Sequence, residues 1–245
     1  MVTEQLAITA KFGGRSHGRT EILAWEDKRI DAAAKKLGVA PPPAAPIVER
    51  RENWLDVKRA LGDDEMLRRL ARDAKIADVM GALQAKVSGR RRTSVTELFV
   101  PGGSAKRFTE WFNEITFSSN QREMERACPD HFVLRIVDGK QQVLETNGGS
   151  PLTALFDIDY DDIASITTEV DPTFAFRLDG VARSSNGTAI GGVRHQFRDT
   201  PDGVHARLAV EFPLPMFGSI VRGHEWHLAC EFSNWMEAAI AADAV

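Results

Sequence analysis

Near the end of the chain, the run Gly223-His224-Glu225-Trp226-His227-Leu228-Ala229-Cys230-Glu231-Phe232-Ser233-Asn234-Trp235 gathers side chains that ligate metals or carry protons. Its setting reads as a closing helix over about 219–242. An α-helix turns about 100° per residue, so residues four apart lie one above the other. His227 and Glu231 therefore share a face, with His224 and Asn234 in the same arc and Ile220 and Trp235 on or beside it. Arg222, Ser233 and Glu237 fall on the other side. Ligand-type groups thus occupy the stripe expected to face the core, where a solvated face would not put them.

A second His/Glu pair lies between His131 and Glu145. Asp138-Gly139 is a turn signal that folds this stretch into a hairpin. With a three-residue loop of Val137, Asp138 and Gly139, His131 stands opposite Glu145, the Cβ atoms about 5 Å apart on one face. Another loop length shifts the register and weakens the pairing. Two imidazoles and two carboxylates converging from a hairpin and a helix make a site for Zn²⁺, which polarises carbonyls and lowers the pKa of bound water.

A rival set uses the same neighbourhood. Cys128-x-x-His131 and His227-x-x-Cys230 supply the two Cys and two His of a closed structural zinc site. Against it, Cys230 is turned roughly 60° from His227 and roughly 100° from Glu231, toward the edge of the inward stripe. Taken singly, each residue has a plainer reading: His131 caps a strand, Glu145 is solvated, and His227 and Glu231 form an i,i+4 pair. Taken together, the four favour a metal. His195 shares a strand face with Val193 and Phe197 and reads as buried; it or His224 is the candidate proton shuttle in a cavity. Tyr160, the sole tyrosine, sits in an acidic cluster without the glycine and closing glutamate of a Ca²⁺ loop. The Gly13–Gly18 stretch lacks the Lys-Ser/Thr of a P-loop and reads as a turn. Neither a nucleophilic serine elbow nor a dinucleotide fingerprint is present.

The elements that must position these groups fall into two regions. Residues 1–93 read as a helical extension: a helix over 25–37 closed by Gly38, a stiff Pro-rich linker over 40–46, and helices over about 49–61 and 63–87. In the last of these, Met66, Leu67, Leu70, Ala74, Ile76, Val79, Met80 and Leu83 form an apolar stripe that needs a partner surface, either a second copy in a homodimer or the rest of the same chain. Residues 94–245 read as a β-rich unit. A strand over 94–100 and helices over 105–115 and 120–127 precede strands over 131–137, 141–146, 154–159, 165–170, 173–178, 189–198 and 204–212. Hairpin-ordered strands followed by a long helix imply an α+β fold, a curved antiparallel sheet gripping the C-terminal helix with a ligand cavity between the two.

Composition bounds the rest. With 43% hydrophobic and 27% charged residues, the chain is an ordinary globular protein. A net charge of −4, with Arg90-Arg91-Arg92 the only cationic run, argues against a nucleic-acid partner. No apolar stretch is long enough to span a membrane, and residues 1–5 show no leader pattern. Two cysteines do not make a disulfide scaffold, so a reducing cytoplasm is expected.

Cys128-Pro129-Asp130-His131-Phe132, Glu145 followed by Gly148-Gly149, and His227-x-x-x-Glu231-Phe232-x-Asn234 resemble motifs of the diacetylphloroglucinol hydrolase family, to which phloretin hydrolase also belongs. The resemblance covers about residues 94–242. It implies a helix-grip fold similar to START and pollen-allergen proteins, with additional helices at the N-terminus. It also implies cleavage of a carbon–carbon bond between an acyl group and a phenolic ring by Zn²⁺ held on His131, Glu145, His227 and Glu231. The sequence departs from that pattern in having one tyrosine where the family surrounds its substrate with several, and in a shorter interval between the first His and first Glu. The expectation is a zinc hydrolase of acylated aromatic ketones; the alternative is a non-catalytic cavity protein that binds a hydrophobic small molecule.

Overall fold

The computed structural model describes residues 5–214 and 216–243. Residues 1–4, on which most of the leader reading falls, lie outside the described residues. In chain order the elements are β1 (Thr9–Phe12), β2 (Arg15–Gly18), α1 (Arg19–Leu37), α2 (Ile47–Leu61), α3 (Asp63–Val87), β3 (Arg91–Pro101), α4 (Ala105–Phe117), α5 (Gln121–Arg126), β4 (His131–Val137), β5 (Lys140–Glu145), β6 (Ala154–Asp159), β7 (Phe176–Arg183), β8 (Ala189–Thr200), β9 (Gly203–Pro213) and α6 (Gly218–Asp243). The class is α+β, as expected. All nine strands form one sheet in the order β2-β1-β3-β9-β8-β7-β6-β5-β4, every pairing between strands antiparallel.

Alternation along the strands divides the apolar side chains between two layers. One face of the sheet, with Leu98, Leu134, Val143, Leu178, Phe197, Ala206 and Leu208, packs on Phe108 and Phe112 of α4, Met124 of α5 and Leu228, Phe232 and Trp235 of α6. On the other face, Phe132, Val133, Leu144 and Leu155 of β4–β6 lie under Ile30, Trp54, Met66, Leu70 and Ala74 of α1–α3. The same chain thus covers the first half of the α3 stripe, while Val79, Leu83 and Val87 stay exposed.

Two sequence expectations need correction. The Gly13-Gly14 turn is present, with both residues at positive φ, but it joins two strands that add to the β3 edge of the sheet. Strands of four residues carry too little alternation to be read. No strand forms over 165–170. That segment's backbone is taken by side chains instead of a neighbouring strand: Glu211 accepts from the amides of Thr167 and Thr168, Arg194 donates to Thr168 O, and Gln196 donates to Glu169 O. Local β propensity yields here to tertiary partners. The side of α6 that the sequence assigns to Arg222, Ser233 and Glu237 is covered at Ser233, which is fully buried. There Arg19 of α1 donates to both carboxylate oxygens of Glu237 (3.0 and 2.6 Å) and to Asn234 Oδ1 (2.6 Å), so α1 closes over the helix. Among the described residues, no helix is long and apolar enough to cross a membrane.

Candidate metal centre

The β4–β5 hairpin pairs His131 with Glu145, by a different route from the one expected. Asp138 (φ 50°) and Gly139 (φ 77°) close a two-residue turn, and Val137 pairs with Lys140. Carried unbroken to its end, that register sets His131 opposite Thr146. A bulge between His131 and Val133 absorbs one residue and returns His131 to Glu145. The bulge also lets two consecutive side chains, Phe132 and Val133, enter the layer under α1–α3 while Leu134 resumes the inner face.

The helix delivers the other pair, and the four side chains meet. His131 Nε2 lies 3.1 Å from His227 Nε2, 3.1 Å from Glu231 Oε2 and 3.7 Å from Glu145 Oε2. His227 Nε2 lies 3.7 Å from Glu145 Oε2 and 3.5 Å from Glu231 Oε2. All four residues are buried. Two overlapping sets of donor atoms, Cys128/His131/His227 and Glu145/His224/His227, also lie within 4.8 Å of one another, so the cluster is able to hold a metal ion.

The surroundings fit a cation. His131 Nδ1 is 2.9 Å from Met124 O, and because a carbonyl only accepts, Nδ1 carries a hydrogen and Nε2 is the ring nitrogen turned to the cluster. Two carboxylates buried in one place also require positive charge nearby. Burial lowers the pKa of His227, yet Glu231 and Glu145 override it and lift the imidazole to about 9. Burial likewise opposes charge on Glu231, but His227 and His131 hold its carboxyl well below the usual range. Glu145 is raised by burial, against the pull of both histidines.

Outer contacts fix the bulged end of the hairpin. Asp130, beside His131, is fully buried and receives Arg29 of α1 through two nitrogens (2.9 and 2.5 Å) as well as the hydroxyl of Thr146, the neighbour of Glu145. Asn234, one turn beyond Glu231, donates to Ala127 O (2.8 Å). Cys128 Sγ lies 3.7 Å from His227 Nδ1, on the ring nitrogen turned away from the carboxylates, and burial keeps its thiol protonated. Cys230 Sγ lies 3.7 Å from Ala127 O and, like Glu231, belongs to neither of these two sets.

The cluster forms one wall of a cavity of about 240 Å³. Phe112, Leu134, Val143, Phe156, Leu178 and Phe232 line it, Met80 and Gly81 of α3 border it, and no Lys or Arg is among the lining residues. His195 and His224 both line it, each with a buried Nδ1 that has no hydrogen-bond partner. Burial holds His195 neutral, lowering it to about 4; burial and the neighbouring His227 hold His224 neutral too. Tyr160 also lines the cavity and donates to Gln141 Oε1 (2.7 Å), a pairing not anticipated from the acidic cluster around it. Nor were Arg29, Asp130 and Thr146 anticipated as a group; only the position of Asp130 inside the Cys128–His131 motif offered a signal. No family model matches the chain, and no curated protein matches it.

Proposed function

We propose that the chain is a zinc-dependent hydrolase of helix-grip type. It cleaves the carbon–carbon bond between an acyl group and an aromatic ring, the activity implied by its resemblance to the diacetylphloroglucinol hydrolases. One observation carries this reading: beside an apolar cavity, His131 Nε2 and His227 Nε2 lie 3.1 Å apart and each is 3.1–3.7 Å from a carboxylate oxygen of Glu145 and of Glu231. Zinc bonds of about 2.0–2.2 Å in a tetrahedron space the ligands roughly 3.4 Å apart. The strand order β3-β9-β8-β7-β6-β5-β4, packed on α6, supports the helix-grip assignment.

Zn²⁺, when bound, polarises an acyl carbonyl and eases deprotonation of water. The chain's own residues supply the rest. The apolar walls seat the aromatic ring and exclude bulk water. In the hydrolysis, water adds its oxygen to the acyl carbon, the bond from that carbon to the ring breaks, and the ring carbon takes a proton; the products are a carboxylic acid and the deacylated arene. His195 and His224, held neutral at pH 7, are the groups that accept water's proton and return it to the ring carbon.

Metal analysis of protein purified without an affinity tag tests the proposal. About one equivalent of zinc per chain is expected, and Glu231→Ala should lose it while keeping its far-UV circular dichroism. A small fraction of an equivalent in the parent, or full occupancy in the variant, would count against the reading. The absence of Lys and Arg from the cavity wall favours one alternative, a non-catalytic carrier of a neutral apolar ligand. It predicts co-purifying hydrophobic molecules by mass spectrometry and no metal.

A further inference from the structure

A helix leaves its last carbonyls without intrahelical donors. At the end of α5 the chain must turn at once into β4, where His131 is the first residue. A side chain from far away meets one of these carbonyls and two more beyond the helix end. Lys58 of α2, wholly buried, donates from Nζ to Glu125 O (2.7 Å), His131 O (2.7 Å) and Cys128 O (3.4 Å). An ammonium has three protons, so each finds an acceptor and none is left for other chemistry. One turn earlier on α2, Trp54 Nε1 donates to Pro129 O (3.1 Å).

The segment held in this way is the one that aims the ligand. Met124 O, which orients the His131 ring, and His131 itself lie at its two ends. Burying an ammonium is unfavourable unless all its protons are satisfied. A methionine would fill the same space beside Trp54 at smaller desolvation cost, so the cation's contribution lies in where it fixes the backbone. We infer that Lys58 is a positioning residue for His131, and that tight metal binding requires α2 as well as the sheet and α6. This rests on the metal reading proposed above.

Lys58→Met keeps the stem and deletes the donors. Zinc affinity, measured by competition with a chromophoric chelator at a temperature where the variant is folded, should fall about 10–100-fold, the range for outer-shell partners. In a Cys230→Ser background, metal-free Lys58→Met should also expose Cys128 to an aromatic disulfide reagent faster than the parent does. Lys58→Arg, which restores a cation and donors, should recover part of both. A purely structural role lowers the melting temperature but leaves affinity and thiol reactivity at parent values, and that result overturns the inference. If Lys58→Met does not fold, Trp54→Phe, which deletes the donor to Pro129 O together with part of the ring, should weaken zinc binding several-fold; unchanged affinity overturns the inference that α2 is required. A parent that binds no zinc defeats the metal reading and the claim on metal affinity with it; the thiol rates then decide only whether Lys58 positions the backbone that carries His131.

Discussion

Glu125 lies behind the candidate centre with both carboxylate oxygens buried and without hydrogen-bond partners, because the adjacent ammonium of Lys58 gives its protons to carbonyl oxygens. Burial raises its carboxyl to about 7, opposed by Lys58 and Arg59 of α2 and assisted by Asp63 of α3. The folded protein therefore keeps a proton that the unfolded chain releases near 4.5, and stability falls as pH rises between those values. Lys58, lowered by its own burial to about 8, adds a slope of opposite sign only between about 8 and its ordinary 10.5. Glu125→Gln cannot ionise and should lack the first slope. At about 1.4 kcal/mol per pKa unit, the parent should lose on the order of 2–3 kcal/mol relative to the variant between pH 5 and pH 7.5, read from urea melts at each pH. Parallel pH dependences in the two proteins would refute the assignment. His227 turns Nε2 to the carboxylates and Nδ1 to the Cys128 thiol, so both ring nitrogens have partners.

At the scale of elements, the centre depends on a backbone crossing. Gly148, at φ +62°, lies so close to α6 that a Cβ there would stand 2.2 Å from the Gly223 carbonyl carbon and 2.4 Å from His224 N. The β5–β6 connection and the first turns of α6 therefore touch main chain to main chain, three residues from Glu145 on one side and four from His227 on the other. Gly148→Ala combines this clash with an unfavourable φ and should cost about 2–4 kcal/mol; on the proposed function it should also reduce zinc stoichiometry, because the His131/Glu145 and His227/Glu231 pairs are pushed apart. Parent-like melting and metal content would show that the crossing is not a constraint. The pairings across these elements were partly legible in the sequence. His227 and Glu231 follow from helical spacing alone, and Gly148-Gly149 stood out as a motif. His131 and Glu145 were matched correctly through a wrong loop length, since a bulge at Phe132, which depends on packing under α1–α3, compensates for the two-residue turn. Lys58, Trp54 and Arg29 were not legible as neighbours of the site, because their contacts span 73–101 residues and no local pattern marks them.

Across the whole molecule, the helices that precede the sheet are joined to it by buried contacts. Phe132, Val133, Leu144 and Leu155 share a core with α1–α3, and the buried Glu26–Arg51 pair ties α1 to α2. Arg19 ties α1 to α6, and Lys58 ties α2 to the turn before β4. The sequence reads residues 1–93 as a helical extension because their periodicity changes at β3; the contacts that cross this boundary are long-range and leave no local trace. These contacts predict that all fifteen elements unfold together. Zinc at 100 times its dissociation constant adds about 2.7 kcal/mol to the folded state, which for a chain of this size is a rise of roughly 5–10 °C in melting temperature. Calorimetry should therefore show a single transition that moves as a whole when zinc is added and returns when a chelator removes it. Two transitions, with only the later one responding to zinc, would mean that the helices fold apart from the ligands and that Lys58 has no hold on His131.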